Sequence, residues 1–193
     1  ERARETDGDV ESTTRPLARL LLKMRRFEDS YTMFERLFTA VPQSDRLQVK
    51  LDAVKQYYRF GQRELGRRLL EQTVQDHPRE LRPINALARI YQTAGESEAA
   101  LGLYARYLDG ALDPADALEA CLAIRELGNS GKAAECLDEL SKREPPVLDA
   151  LLERGLILDQ AGDWKHRNQL FGAFVAQSPD KRAANERVGL LFA

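Results

Sequence analysis

Cysteine, histidine and tryptophan are almost absent from this chain of 193 residues, which holds two cysteines, two histidines and one tryptophan. So few ligating side chains leave no cluster at metal-coordinating spacing. Cys121 and Cys136, fifteen residues apart in helical patterns, fit no metal or redox motif and are read as small core residues. No apolar run reaches the roughly 18 residues of a membrane-spanning helix, and no signal-peptide pattern stands at the start. Charge of one sign is missing as well. The 29 basic and 31 acidic residues leave a net charge of -2, so no global field draws the chain to nucleic acid or an anionic membrane. Any electrostatic message has to be local.

Catalytic constellations are missing too. No nucleophile, base and orienting group converge in the pattern, and the paired acids Asp138-Glu139 and Asp113 with Asp116 fall on solvated faces or at helix starts. Gly128-Asn129-Ser130-Gly131-Lys132 faintly suggests a phosphate loop, but no strand precedes it. His77 stands at a helix end before Pro78, and His166 on a surface position of a helix. The arginine pairs Arg25-Arg26 and Arg67-Arg68 have no aromatic platform interleaved on a common face, which argues against a nucleic-acid site. The expectation is no enzyme, no cofactor and no metal.

What is abundant is helical periodicity. The polar leader Glu1 to Ser12 is expected to be flexible, since it has little to bury. Ser12, Thr13 and Thr14 then offer cap hydroxyls just before Pro16, and Leu17, Ala18, Leu20 and Leu21 begin an apolar stripe. Between Leu81 and Asp113, apolar residues recur at Ile84, Leu87, Ala88 and Tyr91, break at Gly95, and resume at Ala100, Leu103, Tyr104 and Tyr107. That is a helical hairpin with an apolar stripe on each side of a turn.

The hairpin repeats. Gly61, Gly95, Gly128 and Gly162 are separated by 34, 33 and 34 residues. Pro78, Pro145 and Pro179 each lie seventeen residues beyond a turn glycine, and Pro42 lies seventeen beyond Arg25. A hairpin cannot cover both of its apolar faces, whereas stacked neighbours can, so the repeat predicts an all-α solenoid.

The pattern resembles the tetratricopeptide repeat family: a small residue and a large partner in the first helix, a turn glycine, a small and then a bulky residue in the second, and a late proline. The small site of the first helix reads Ala18, Val54, Ala88, Cys121, Gly155 and Gly189, and its large partner reads Leu21, Tyr57, Tyr91, Ile124, Leu158 and Phe192. In the second helix Ser30, Gly66, Ala100 and Ala133 precede Phe34, Leu70, Tyr104 and Leu137. Arg167 departs from the small site of the fifth unit, where wider helix spacing is expected. The units are phased 11–44, 47–80, 81–113, 114–147 and 148–181, with the first helix of a sixth at 182–193. They form a single array over 13–193, read as a cut from a longer protein. The resemblance implies a right-handed α-solenoid of antiparallel helix hairpins with no catalysis of its own.

It also implies a concave groove lined by fixed positions of each first helix. Carried onto this sequence, the early units contribute Arg19, Lys55, Arg59, Arg82, Asn85 and Arg89, a basic half. The later units contribute Leu118, Leu122, Leu152 and Leu156, an apolar half edged by Glu126, Asp149 and Asp159. The family's peptide-carboxylate clamp is not met, since Leu51 with Lys55 and Asn85 with Arg89 occupy its sites. The expected ligand is a partner protein or peptide with an acidic segment, with no nucleic acid and no direct membrane insertion. By family analogy the scaffold works in a bacterial envelope or exopolysaccharide export complex, the periplasm being favoured over the cytoplasm. The alternative is a cytoplasmic sensor or regulatory domain fused to an enzyme or DNA-binding module.

Overall fold

Five residues at the expected period adopt the left-handed backbone that ends a helix: Arg25 at φ 59°, Gly61 at 73°, Gly95 at 79°, Gly128 at 83° and Gly162 at 77°. At four of these turns the next backbone N–H reaches back to the fifth carbonyl before it. Arg26 bonds to Leu21 at 2.9 Å, Gln62 to Tyr57 at 2.8 Å, Asn129 to Ile124 at 3.3 Å and Asp163 to Leu158 at 2.9 Å. This closes the orphan carbonyls of each first helix and reverses the chain.

The computed structural model describes residues 2–110 and 113–192, with only the backbone described for 2–10. Glu1 of the expected leader and Ala193 of the sixth unit lie outside the described residues. Among the described residues every regular element is helical. The chain divides into two compact units, 1–94 and 95–193.

The first unit holds α1 (Arg2–Lys23), α2 (Phe27–Ala40), α3 (Gln43–Arg59), α4 (Arg63–Asp76) and α5 (Leu81–Thr93). Consecutive helices pack on each other, α1 on α2, α2 on α3, α3 on α4 and α4 on α5. Ala18 and Ser30, the two small sites of the first hairpin, meet directly: Ser30 Oγ donates to the Ala18 carbonyl at 2.9 Å. Bulky neighbours fill the space beside them. Tyr57 lies 6.1 Å from the Tyr31 ring and 5.8 Å edge-on from Phe34, which stacks on Phe38. Lys50 is buried, ion-paired with Asp76, and sits 5.6 Å from the Phe38 ring centre. Its ammonium is thereby compensated from two sides.

The leader departs from expectation, because α1 begins at Arg2 and runs straight through Pro16. Proline in a helix forfeits one bond, here to the residue 12 carbonyl, without stopping the chain when neighbouring turns are supported. The Arg15–Glu11 pair at 2.8 Å, one helical turn apart, supports that turn.

The second unit holds α6 (Ser97–Asp109), α7 (Pro114–Glu126), α8 (Ser130–Ser141), α9 (Leu148–Gln160), α10 (Trp164–Gln177) and α11 (Lys181–Leu190). Here too each helix packs on the next, and α7 also touches α9. Four of its helices are capped by side chains, with Asp113, Asn129, Asp163 and Asp180 accepting from first-turn N–H groups. Asn129 binds the Lys132 N–H at 3.0 Å, so the glycine-bearing loop at 128–132 is a helix cap. Phe171 of α10 packs where a Cβ on Gly155 would stand 2.3 Å from its ring, which is what glycine at that small site is for.

The cysteines correct the sequence reading. Cys121 of α7 and Cys136 of α8 form a disulfide, with Cα atoms 5.7 Å apart. Gly128-Asn129 lies midway between them, and residues equidistant from a hairpin turn face each other across it. Motif spacing for metals and redox centres gives no sign of this pairing.

Candidate peptide-binding surfaces

In the first unit, Lys55 and Arg59 sit one turn apart on α3, and Arg82, Asn85 and Arg89 follow one face of α5 at spacings of three and four. A direct bond joins the two faces: Arg82 Nη2 donates to Gln48 Oε1 at 3.0 Å. Gln48 donates onward to Asp52 at 2.9 Å, and Lys55 lies 3.7 Å from the same carboxylate. Part of the basic row is therefore neutralised within the protein. Arg19, Arg59 and Arg89 are exposed and form no ion pair among the described residues, whereas Asn85 is half-buried and engaged. Like charges on one face raise its potential and attract an anion.

Where the α3–α5 face reaches the hairpin turns, a cavity of about 440 Å³ opens between α3, α4 and α5, lined by Tyr58, Arg63, Glu64, Arg67, Ile90, Thr93 and Ala94. Gly66 shapes its floor. A Cβ there would stand 2.6 Å from Tyr58 Cε2, so only glycine lets the ring lie against α4. Burial raises the Tyr58 phenol above its ordinary value, with the Arg67 and Arg63 charges opposing. Arg67 is held by Glu71 at 2.9 Å and stacks 4.9 Å over the Tyr91 ring. Sequence patterning missed Arg63 and Ile90 as surface features and weighed Arg67 only as half of an arginine pair, because they come from second-helix and off-groove positions. The signal available was Gly66 and Tyr58, which flank the Gly61 turn at five and three residues.

In the second unit the expected row of leucines is largely covered. Leu152 is buried, 3% exposed, among Leu151, Phe171, Phe174 and Ala184. Leu118, Leu122 and Leu156 are half-buried. Leu152 is covered because α11 packs on α10 and brings Ala184 and Val188 over this core. The acids beside the row are spent internally as well. Arg187 binds Asp149 at 2.7 Å, Arg167 binds Asp159, and Arg125 joins Glu153 at 2.8 Å. Arg167 thus finds a carboxylate at its departing small site, and it also stacks 4.8 Å over the Phe192 ring.

Among the described residues no group of three or more His, Cys, Asp or Glu side chains could hold a metal ion, and no helix is long and apolar enough to cross a membrane. His166 pairs with Asp163 at 2.7 Å at the start of α10, and His77 ends α4 through its backbone N–H.

Antiparallel helix hairpins packed on one another within each unit, with small sites meeting large neighbours as at Gly66 and Gly155, define a helical-repeat protein. Models of the tetratricopeptide repeat match residues 84–118 and 118–165. Among solved structures, MamA AMB-1 is similar at 15% identity, with 86% of this chain and 91% of that one covered and a TM-score of 0.48. The structure titled YrrB, a TPR protein with an unusual peptide-binding site, is similar at 13% identity, with 88% and 87% covered and a TM-score of 0.49. No curated protein matches the sequence.

Proposed function

We propose that this protein is a non-catalytic interaction scaffold whose α3–α5 face binds an acidic segment of a partner protein or peptide. The observation that carries this reading is the pair Arg59 and Arg89, exposed and without ion pairs among the described residues, beside a network that already engages Lys55 and Arg82. Uncompensated guanidinium groups on a preformed face suit carboxylates, which they bind in bidentate geometry. Arg19, one helix pair earlier, extends the charge available to a longer ligand.

The test is the double variant Arg59→Glu/Arg89→Glu used as bait in a pull-down from the native host. The expected result is loss of a specific acidic partner with helicity unchanged by circular dichroism. If every partner stays bound, the basic face is only solvated surface.

The Cys121–Cys136 bond supports work in an oxidising compartment such as the periplasm, where disulfides persist, over a cytoplasmic sensor role. An envelope assembly such as an exopolysaccharide export complex is the setting we favour. Identifying the captured partner checks it: export or envelope components support that setting, whereas a fused or associated catalytic or DNA-binding module supports the alternative.

A further inference from the structure

We propose that the cavity between α3, α4 and α5 is an anchor pocket that takes one apolar side chain from the acidic segment lying on the basic face. This deepens the reading of that face and rests on it. The pocket continues the same surface, since Thr93 stands one turn beyond Arg89 on α5, and Tyr58 and Arg59 lie at the end of the row that Lys55 begins on α3.

Its interior is built for an uncharged occupant. Tyr58 forms the floor and Ile90 a wall, and Arg67 is locked against Glu71 and Tyr91, so its charge is already answered. Glu64 stands in the lining and repels a carboxylate that tries to enter. Arg63, also in the lining, is exposed and has no ion pair among the described residues, and Arg59 and Arg89 stand on the adjoining stretches of α3 and α5. A ligand that meets both conditions carries an apolar side chain flanked by acids. About 440 Å³ lies within the range of small-ligand pockets and holds a phenylalanine side chain with room to spare. Gly66, the small site of this hairpin, sets where the Tyr58 side of the pocket lies. Glycine weakens a helix interior, and here its absent Cβ is the space that the Tyr58 ring occupies.

The experiment uses two fluorescein-labelled ten-residue peptides of glutamate, one with a central phenylalanine and one with alanine there, followed by fluorescence anisotropy. The phenylalanine peptide is expected to bind at least tenfold tighter. Gly66→Ala, which displaces Tyr58, and Thr93→Trp, which fills the cavity from an exposed position without disturbing a helix interior, should each erase that difference. Both should leave the affinity for the alanine peptide unchanged. Arg63→Glu should weaken both peptides. Equal affinity of the wild-type protein for the two peptides overturns the pocket and leaves the basic-face reading intact. Absence of binding by either peptide overturns both.

Discussion

Arg25 holds a backbone conformation that a side chain with a Cβ resists, at the position where the other turns of this phase use glycine. Arg25→Gly is expected to raise stability by about 0.5–1 kcal/mol, the relief of strain exceeding the added freedom of the unfolded chain. Urea unfolding monitored by circular dichroism checks it. Tyr57 poses the opposite problem, being fully buried with a hydroxyl that finds no well-formed hydrogen bond among the described residues. Burial pushes its phenol from 10 up to about 12. Its contribution is intact below pH 10 and is lost as pH rises toward 12, because the unfolded state ionises first. Tyr57→Phe should therefore flatten the alkaline loss of stability between those limits, as read from urea midpoints at successive pH values. At the surface, His166 donates to Asp163 through its ring and its backbone N–H, holding that carboxyl below its ordinary range. A depressed carboxyl stabilises above its ordinary pKa and stops doing so as pH falls through the lowered value. The advantage of the wild type over Asp163→Asn should accordingly shrink on acidification below the usual carboxylate range.

Among the helical elements, the α7–α8 hairpin is built largely of small buried residues. Its buried residues are Ala117, Ala120, Cys121 and Ile124 against Ala133, Ala134, Leu137 and Leu140, and small side chains bury little apolar area. The disulfide compensates by closing a loop with a sequence separation of 15, worth about 3 kcal/mol in the chain-entropy picture. The double variant Cys121→Ala/Cys136→Ala should lose about that much in equilibrium urea unfolding, with little change in wild-type stability until a reductant is added. The helices, their turns and their small-to-large packing were legible in the sequence, because each follows from residues within one hairpin: Ser30 meets Ala18, and Gly155 meets Phe171. The extent of α1 was not, since the polar composition of residues 2–12 argued against a helix there. The burial of Leu152 was not legible either. Periodicity says which face of α9 is apolar, but only the packing of α10 and α11 decides that Phe174 and Ala184 cover it. The anchor pocket was hidden for a related reason, being assembled from three helices of which the groove rule considers two.

On the scale of the whole molecule, each unit is held by contacts between successive helices, with α7 against α9 the exception. Contacts that close short loops form quickly, so refolding with the disulfide intact should complete within milliseconds in stopped-flow fluorescence. A much slower main phase would show that non-local packing limits the rate. The same locality governs what happens during synthesis. A ribosome adds roughly 5–20 residues per second, so about 34 residues take seconds to emerge, far longer than a hairpin needs to close. Within each unit, a helix can therefore settle on the one before it while the rest of the chain is still unmade. The order of the hairpins in the gene then becomes the order in which they fold, and transiently exposed apolar faces wait only for the next 34 residues to cover them.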